Sequence, residues 1–110
     1  PRFQGTVDTV EMACGCNLFE LHAGACSGHM PVRRPQPREV AARSILFADR
    51  DMTVNTALGA LRGFVADIPW PGTFFEKDQA VVSVYGRGPD RDTALALLDK
   101  HISTVRQYMR

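Results

Sequence analysis

Val54, Ala57, Leu58, Leu61, Val65 and Ile68 recur at three- and four-residue intervals, the spacing that gathers apolar side chains on one stripe of an α-helix. The stripe predicts a helix from about Asp51 to Asp67. Asp51 or Asn55 would accept the first free N–H groups, and Pro69 would end it. Leu95, Leu98, Ile102, Val105 and Met109 draw a second stripe, predicting a helix from about Asp90 to Tyr108. Pro89 stands where a missing N–H does no harm, and Asp90 and Asp92 complement the positive end of the helix dipole. His101, between Leu98 and Ile102, reads as a partly buried histidine of that helix.

Between the two stripes, Gln79–Gly86 (Q-A-V-V-S-V-Y-G) is rich in β-branched and aromatic residues and predicts a strand. The first half has a more extended character. Phe3–Met12 alternates apolar and polar residues, with a slip of parity between Val7 and Val10 of the kind a bulge causes. Leu18–His22 predicts a second strand. Glu39–Ala48 suits either periodicity; a third strand is preferred because it feeds Asp49-Arg50-Asp51 as a compact connection. Met30–Arg38, with its prolines and arginines, predicts a surface loop. The expected fold is a single α+β domain over residues 1–110, of order β-β-β-α-β-α. It would be a two-layer sandwich with about four strands and both helices on one face. Such a sheet leaves a face or an edge to cover, so a homo-oligomer, a dimer, is expected.

Composition narrows the classes. Of 110 residues, 45% are apolar and 23% charged, ordinary values for a globular chain with one core. Thirteen basic against twelve acidic residues leave a net charge of +1, which argues against a protein built mainly to neutralise nucleic-acid phosphates. No apolar run approaches the ~20 residues of a membrane-spanning helix, and no basic start followed by an apolar stretch is visible. A cytoplasmic location without nucleic-acid or membrane partners is the expectation.

The chemistry concentrates in one segment. Cys14, Cys16, His22, Cys26 and His29 include all three cysteines of the chain, spaced C-x-C-x5-H-x3-C-x2-H. Thiolate and imidazole are the ligands borderline-soft metals prefer, and four of them at about 2.0–2.3 Å close a tetrahedral zinc site. On a straight strand, Cys14 and Cys16 would stand about 6.6–7 Å apart, so Gly15 must bend the chain if both are to bind one ion. The leading expectation is a domain binding a transition metal, zinc, through Cys14, Cys16, Cys26 and His29, with His22 as the reserve ligand. Its role would be structural, sensory or that of an accessory subunit. Against this stands the ordinary use of free cysteine as a small buried apolar residue. A narrower alternative pairs Cys26 with His22 or His29 as a catalytic thiol.

A second hypothesis is an oligomeric small-molecule-binding or enzyme domain. Its pocket, at a subunit interface, would be lined by Trp70, Phe74, Phe75 and Arg87. A third is a structural assembly subunit. Pro69-Trp70-Pro71-Gly72-Thr73-Phe74-Phe75 carries three aromatics in a turn-rich loop, and capping of the core is the first expectation for them. Gly86-Arg87-Gly88 lies between a strand and a helix, but the third glycine of a dinucleotide fingerprint would fall on Arg91, so a plain turn is expected. Arg33, Arg34 and Arg38 form a basic patch whose default is a solvated surface. Asp49 and Asp51 could face a hard cation, although helix capping already explains Asp51. Pro1, as an amino-terminal base, is the weakest of the candidates.

Overall fold

The computed structural model describes residues 4–55 and 57–109. Pro1, and with it the amino-terminal-base reading, lies outside the described residues. The chain is a mixed α+β fold with three α-helices and two open sheets among the described residues. In chain order these are α1 (Thr6–Cys14), α2 (Leu18–Cys26), β1 (Val40–Phe47), β2 (Met52–Val54), a 3-10 turn (Leu58–Leu61), β3 (Val65–Ala66), β4 (Thr73–Phe75), β5 (Ala80–Gly88) and α3 (Arg91–Met109). One antiparallel sheet has the order β1-β5-β3, and β2 pairs with β4 in a second.

The elements read from the sequence at β1, β5 and α3 are present. Asp90 accepts the Thr93 N–H at 2.7 Å and so starts α3. That hydrogen bond holds the Asp90 carboxyl below its usual range. The stripe Leu95, Leu98, Ile102, Val105 and Met109 faces the core, with Leu98 and Val105 buried.

Three expected elements are corrected. The helix expected over 51–67 is instead β2, the 3-10 turn and β3. Its stripe still marks the core, since Val54, Leu58, Leu61 and Val65 are all buried, but Gly59 and Gly63 make a continuous helix expensive. Asp51 therefore caps no helix; its carboxylate takes the Lys77 N–H at 2.9 Å and ties down the turn before β5. The strand expected within Phe3–Met12 is helix α1 over its described part. The slip between Val7 and Val10 is the three-residue step of a helix rather than a bulge. The strand expected at Leu18–His22 is the start of α2. Asn17 accepts the Glu20 N–H at 3.0 Å, one half of an N-x-x-E capping pattern that was legible in the sequence. The expected order β-β-β-α-β-α, the four-stranded sheet and the pair of helices on one face are corrected with them.

Side chains alternate along β5, and register then assigns its two faces. Val82, Val84, Gly86 and Gly88 face α3, with Leu46, Ser44, Ala42 and Val40 opposite them on β1. Gly86 is needed here because a Cβ would stand 2.5 Å from Leu98 N and 2.6 Å from Ala94 O, both backbone atoms of α3. Gly88 is similarly close to Thr93. Gly86-Arg87-Gly88 is therefore neither phosphate loop nor turn: it is the end of β5, and its glycines admit a helix at close range. Val81, Ser83, Tyr85 and Arg87 point to the opposite face, where α1 lies.

Candidate functional site

The face of the sheet turned away from α3 is polar at its centre. Arg43 on β1 stands opposite Tyr85 on β5, and Ile45 stands opposite Ser83. The Arg43 guanidinium donates through Nη2 to Ser83 Oγ at 2.8 Å and lies 3.5 Å from Asp67 Oδ2. Ser83 Oγ in turn donates to the same Asp67 oxygen at 2.7 Å. Asp67 holds this position with φ of +55°, a left-handed conformation in a residue other than glycine. The Arg43 side chain is only 21% exposed, and its Nε is buried without a hydrogen-bond partner. An unpaired buried donor costs about 1–3 kcal/mol, so the protein holds this cation at some expense.

Helix α1 completes the site. Tyr85 donates its hydroxyl hydrogen to Asp8 Oδ2 at 2.6 Å, which fastens α1 to the sheet. Burial, then the hydrogen bond to Asp8 and its charge, push the Tyr85 phenol up to about 12, against a smaller opposing effect of Arg43. Tyr85 is thus a proton-bearing donor at all ordinary pH. At the start of α1, Gly5 packs against the Arg43 guanidinium so closely that a Cβ would collide with it. Between α1 and the β3–β4 segment opens a cleft of about 780 Å³. Arg43, Ser83, Asp67 and Asp8 supply its polar surface, and Ile45, Pro69, Phe75 and Val81 its apolar surface.

The sequence-derived site residues are distributed differently. Cys14 ends α1, Cys16 lies in the link to α2, and Cys26 ends α2; all three thiols are free. His22 Nε2 and Cys26 Sγ lie 3.8 Å apart, one helical turn from each other. The His29 N–H closes the end of α2 on Gly24 O at 2.8 Å. Among the described residues, no group of three or more His, Cys, Asp or Glu stands where it would hold a metal ion. The same holds for Asp49 and Asp51; Asp49 is 3.2 Å from Arg50.

Of the aromatic loop, Trp70 is 84% exposed and Phe74 58% exposed, so neither caps the core. Only Phe75 packs against the core and lines the large cleft. Arg87 belongs to the same sheet face but lies 3.5 Å from Glu39 and borders a separate cavity of about 140 Å³. There His101 stacks on Phe64, ring centroids 3.9 Å apart, and its Nδ1 donates to Tyr85 O at 2.7 Å. A carbonyl only accepts, so this bond fixes which ring nitrogen carries hydrogen.

Arg43, Ser83, Asp67, Asp8 and Tyr85 were not singled out from the sequence. The available signal was a charge in the middle of V-A-A-R-S-I-L-F and a serine inside V-V-S-V-Y. Polar residues embedded in strands are informative only once the face they occupy is known. Among the described residues, no helix is long and apolar enough to cross a membrane.

No family model matches the chain, and no solved structure matches it. The chain is similar to the uncharacterized protein MJ0776 of Methanocaldococcus jannaschii, with 30% identity over 87 residues. The aligned region covers 79% of this chain and 21% of that protein, so the chain spans about a fifth of its relative's length.

Proposed function

We propose that this chain is a small-molecule-binding domain whose site is the cleft over Arg43, and that its ligand is amphoteric. The observation that supports this is the Arg43–Ser83–Asp67 network on the cleft side of the sheet. One guanidinium there is flanked by two carboxylates, Asp67 and Asp8, so the formal charge of the three groups is −1. A simple anion would meet Arg43 and be repelled by its neighbours. A molecule carrying a carboxylate together with an ammonium or similar donors satisfies all three, with the carboxylate on Arg43 and the donors on Asp67 and Asp8. The apolar side chains Ile45, Phe75 and Val81 take its hydrocarbon part. Thermal shift and calorimetry with free α-amino acids, their decarboxylated amines and their deaminated acids test this reading. Amino acids should raise the melting temperature, the one-ended analogues should not, and Arg43→Met should abolish the effect. A flat response to all three sets, or an equal response from Arg43→Met, would sink it.

Zinc binding is the second reading, supported by the proximity of His22 and Cys26. Nitrogen and sulfur ligands of one tetrahedral ion stand about 3.5 Å apart, close to the observed 3.8 Å. Elemental analysis of protein purified without chelators checks it: zinc should be present, and Cys26→Ser should lose it.

A further inference from the structure

We propose that β1 is a dimer-forming edge, pairing antiparallel with β1 of a second copy and joining the two clefts across one continuous sheet. Strand β1 is the outermost member of β1-β5-β3. On β5, the Tyr85 N–H goes to Phe64 O, and Tyr85 O takes His101, both on the β3 side. In an antiparallel ladder, residues opposed to such a position also direct their backbone groups away from the shared ladder. Ala41, Arg43 and Ile45, paired with Arg87, Tyr85 and Ser83, therefore present their N–H and C=O groups to the outer edge. None of them makes a further backbone bond among the described residues.

Edges of this kind are normally guarded by proline, lysine or an inward charge at the rim. Val40–Phe47 has no proline, no lysine and no acid. Its single charge, Arg43, is bound by Asp67 and Ser83 rather than left free to repel a second strand. The bulge of the β1–β5 ladder lies at the far end, beside Leu46 and Phe47, where the extra residue, Val81, is on β5. Ile45 and Phe47 are 38% and 50% exposed on this strand.

The strand is its own best complement. Hydrogen-bonded pairs across the edge must join outward-facing residues, which leaves two central registers. In one, Arg43 faces the partner's Arg43, and like charges directly opposite are destabilising. In the other, the two-fold axis passes through Ser44. Arg43 then lies opposite the partner's Ile45, and Ala41 opposite the partner's Phe47, so that charge meets hydrocarbon and small meets large. The axis is perpendicular to the sheet, so both α3 helices share one side and both clefts the other. The partner's Ile45 then borders the cleft beside Arg43.

Light scattering and sedimentation of the full chain, from low to high micromolar concentration, should give a dimer. Ile45→Pro removes one outward N–H and leaves the β1–β5 ladder intact; it should weaken the dimer at least tenfold while far-ultraviolet dichroism is unchanged. Ile45→Glu does the same by charge and guards against a local effect of proline. With Cys14, Cys16 and Cys26 replaced by serine, Ser44→Cys should form an intermolecular disulfide under mild oxidation, because the two copies of residue 44 form a closely spaced non-hydrogen-bonded pair. A wild-type monomer throughout, or a dimer indifferent to both Ile45 variants, overturns the interface. A dimer that both variants weaken but that Ser44→Cys cannot crosslink overturns the register. None of these outcomes decides amino-acid binding, which the monomer's cleft can carry alone.

Discussion

The two faces of β5 solve the problem of burial in opposite ways. Toward α3, Val82 and Val84 are sealed to 2% and 0% exposure, and Gly86 removes even a methyl group so that helix backbone can close on strand backbone. Toward the cleft, Ser83 and Tyr85 are buried almost as deeply, at 2% and 4%, but they are held by hydrogen bonds to Asp67, Arg43 and Asp8. The first face derives its stability from contact and tolerates no added volume. The second derives it from directed bonds that a ligand can extend, which is why the candidate chemistry belongs there.

The sharpest way to break the contrast is Gly86→Ala. With backbone atoms at 2.5 and 2.6 Å from the added carbon, the loss should be about 3 kcal/mol in urea unfolding, near the upper end of overpacking. A loss near zero would mean that α3 does not press on β5.

On the polar face, Tyr85→Phe removes a hydrogen bond to a carboxylate and should cost about 1.5 kcal/mol at neutral pH. Its pH dependence has a definite sign. The folded phenol is raised from 10.0 to about 12, so its contribution is complete below the unfolded value and is lost as pH climbs through the folded one. Ultraviolet titration at the tyrosinate band should show one late-ionising phenol, absent in Tyr85→Phe. A wild-type protein whose tyrosines all ionise near 10 would contradict the Asp8–Tyr85 bond.

Ser83→Ala is a smaller perturbation of the same network and should cost about 1 kcal/mol. It should also weaken amino-acid binding, since Arg43 then loses the bond that orients it. Unchanged binding would show that Arg43 is positioned by other groups. At the bottom of the series, Trp70→Ala should change stability by less than about 0.5 kcal/mol, as for other exposed sites. A large loss would return the aromatic loop to the core.

Legibility followed the range of the interactions. Strand β5 and helix α3 were readable because pattern, capping and turn residues all agree locally: Asp90 caps, the apolar stripe repeats, and β-branched residues cluster between breakers. At Val54–Val65 the core residues were readable but their backbone was not, since a 3.6-residue spacing can be met by a short strand, a turn and another strand that all reach one core. Helices α1 and α2 were misread because neither has a buried residue to anchor a stripe. They rest on Gly15 in a left-handed cap, on Asn17, and on the Leu18 N–H, which donates to Glu11 Oε2 at 2.8 Å.

By itself, the sequence determined the α+β class, the β5 and α3 segments, the apolar residues that become the core, and the clustering of cysteine and histidine near the start. Only the tertiary structure decided which side of the sheet each strand residue faces, and hence that Arg43 and Ser83, forty positions apart, meet with Asp67 over a cleft. It also decided that, within the Cys/His cluster, His22 and Cys26 stand 3.8 Å apart, one turn from each other on α2. The physical reason is the same in both cases. Periodicity is a property of neighbouring residues, whereas a site needs convergence in space, and strand register rather than sequence distance fixes which polar groups share a face.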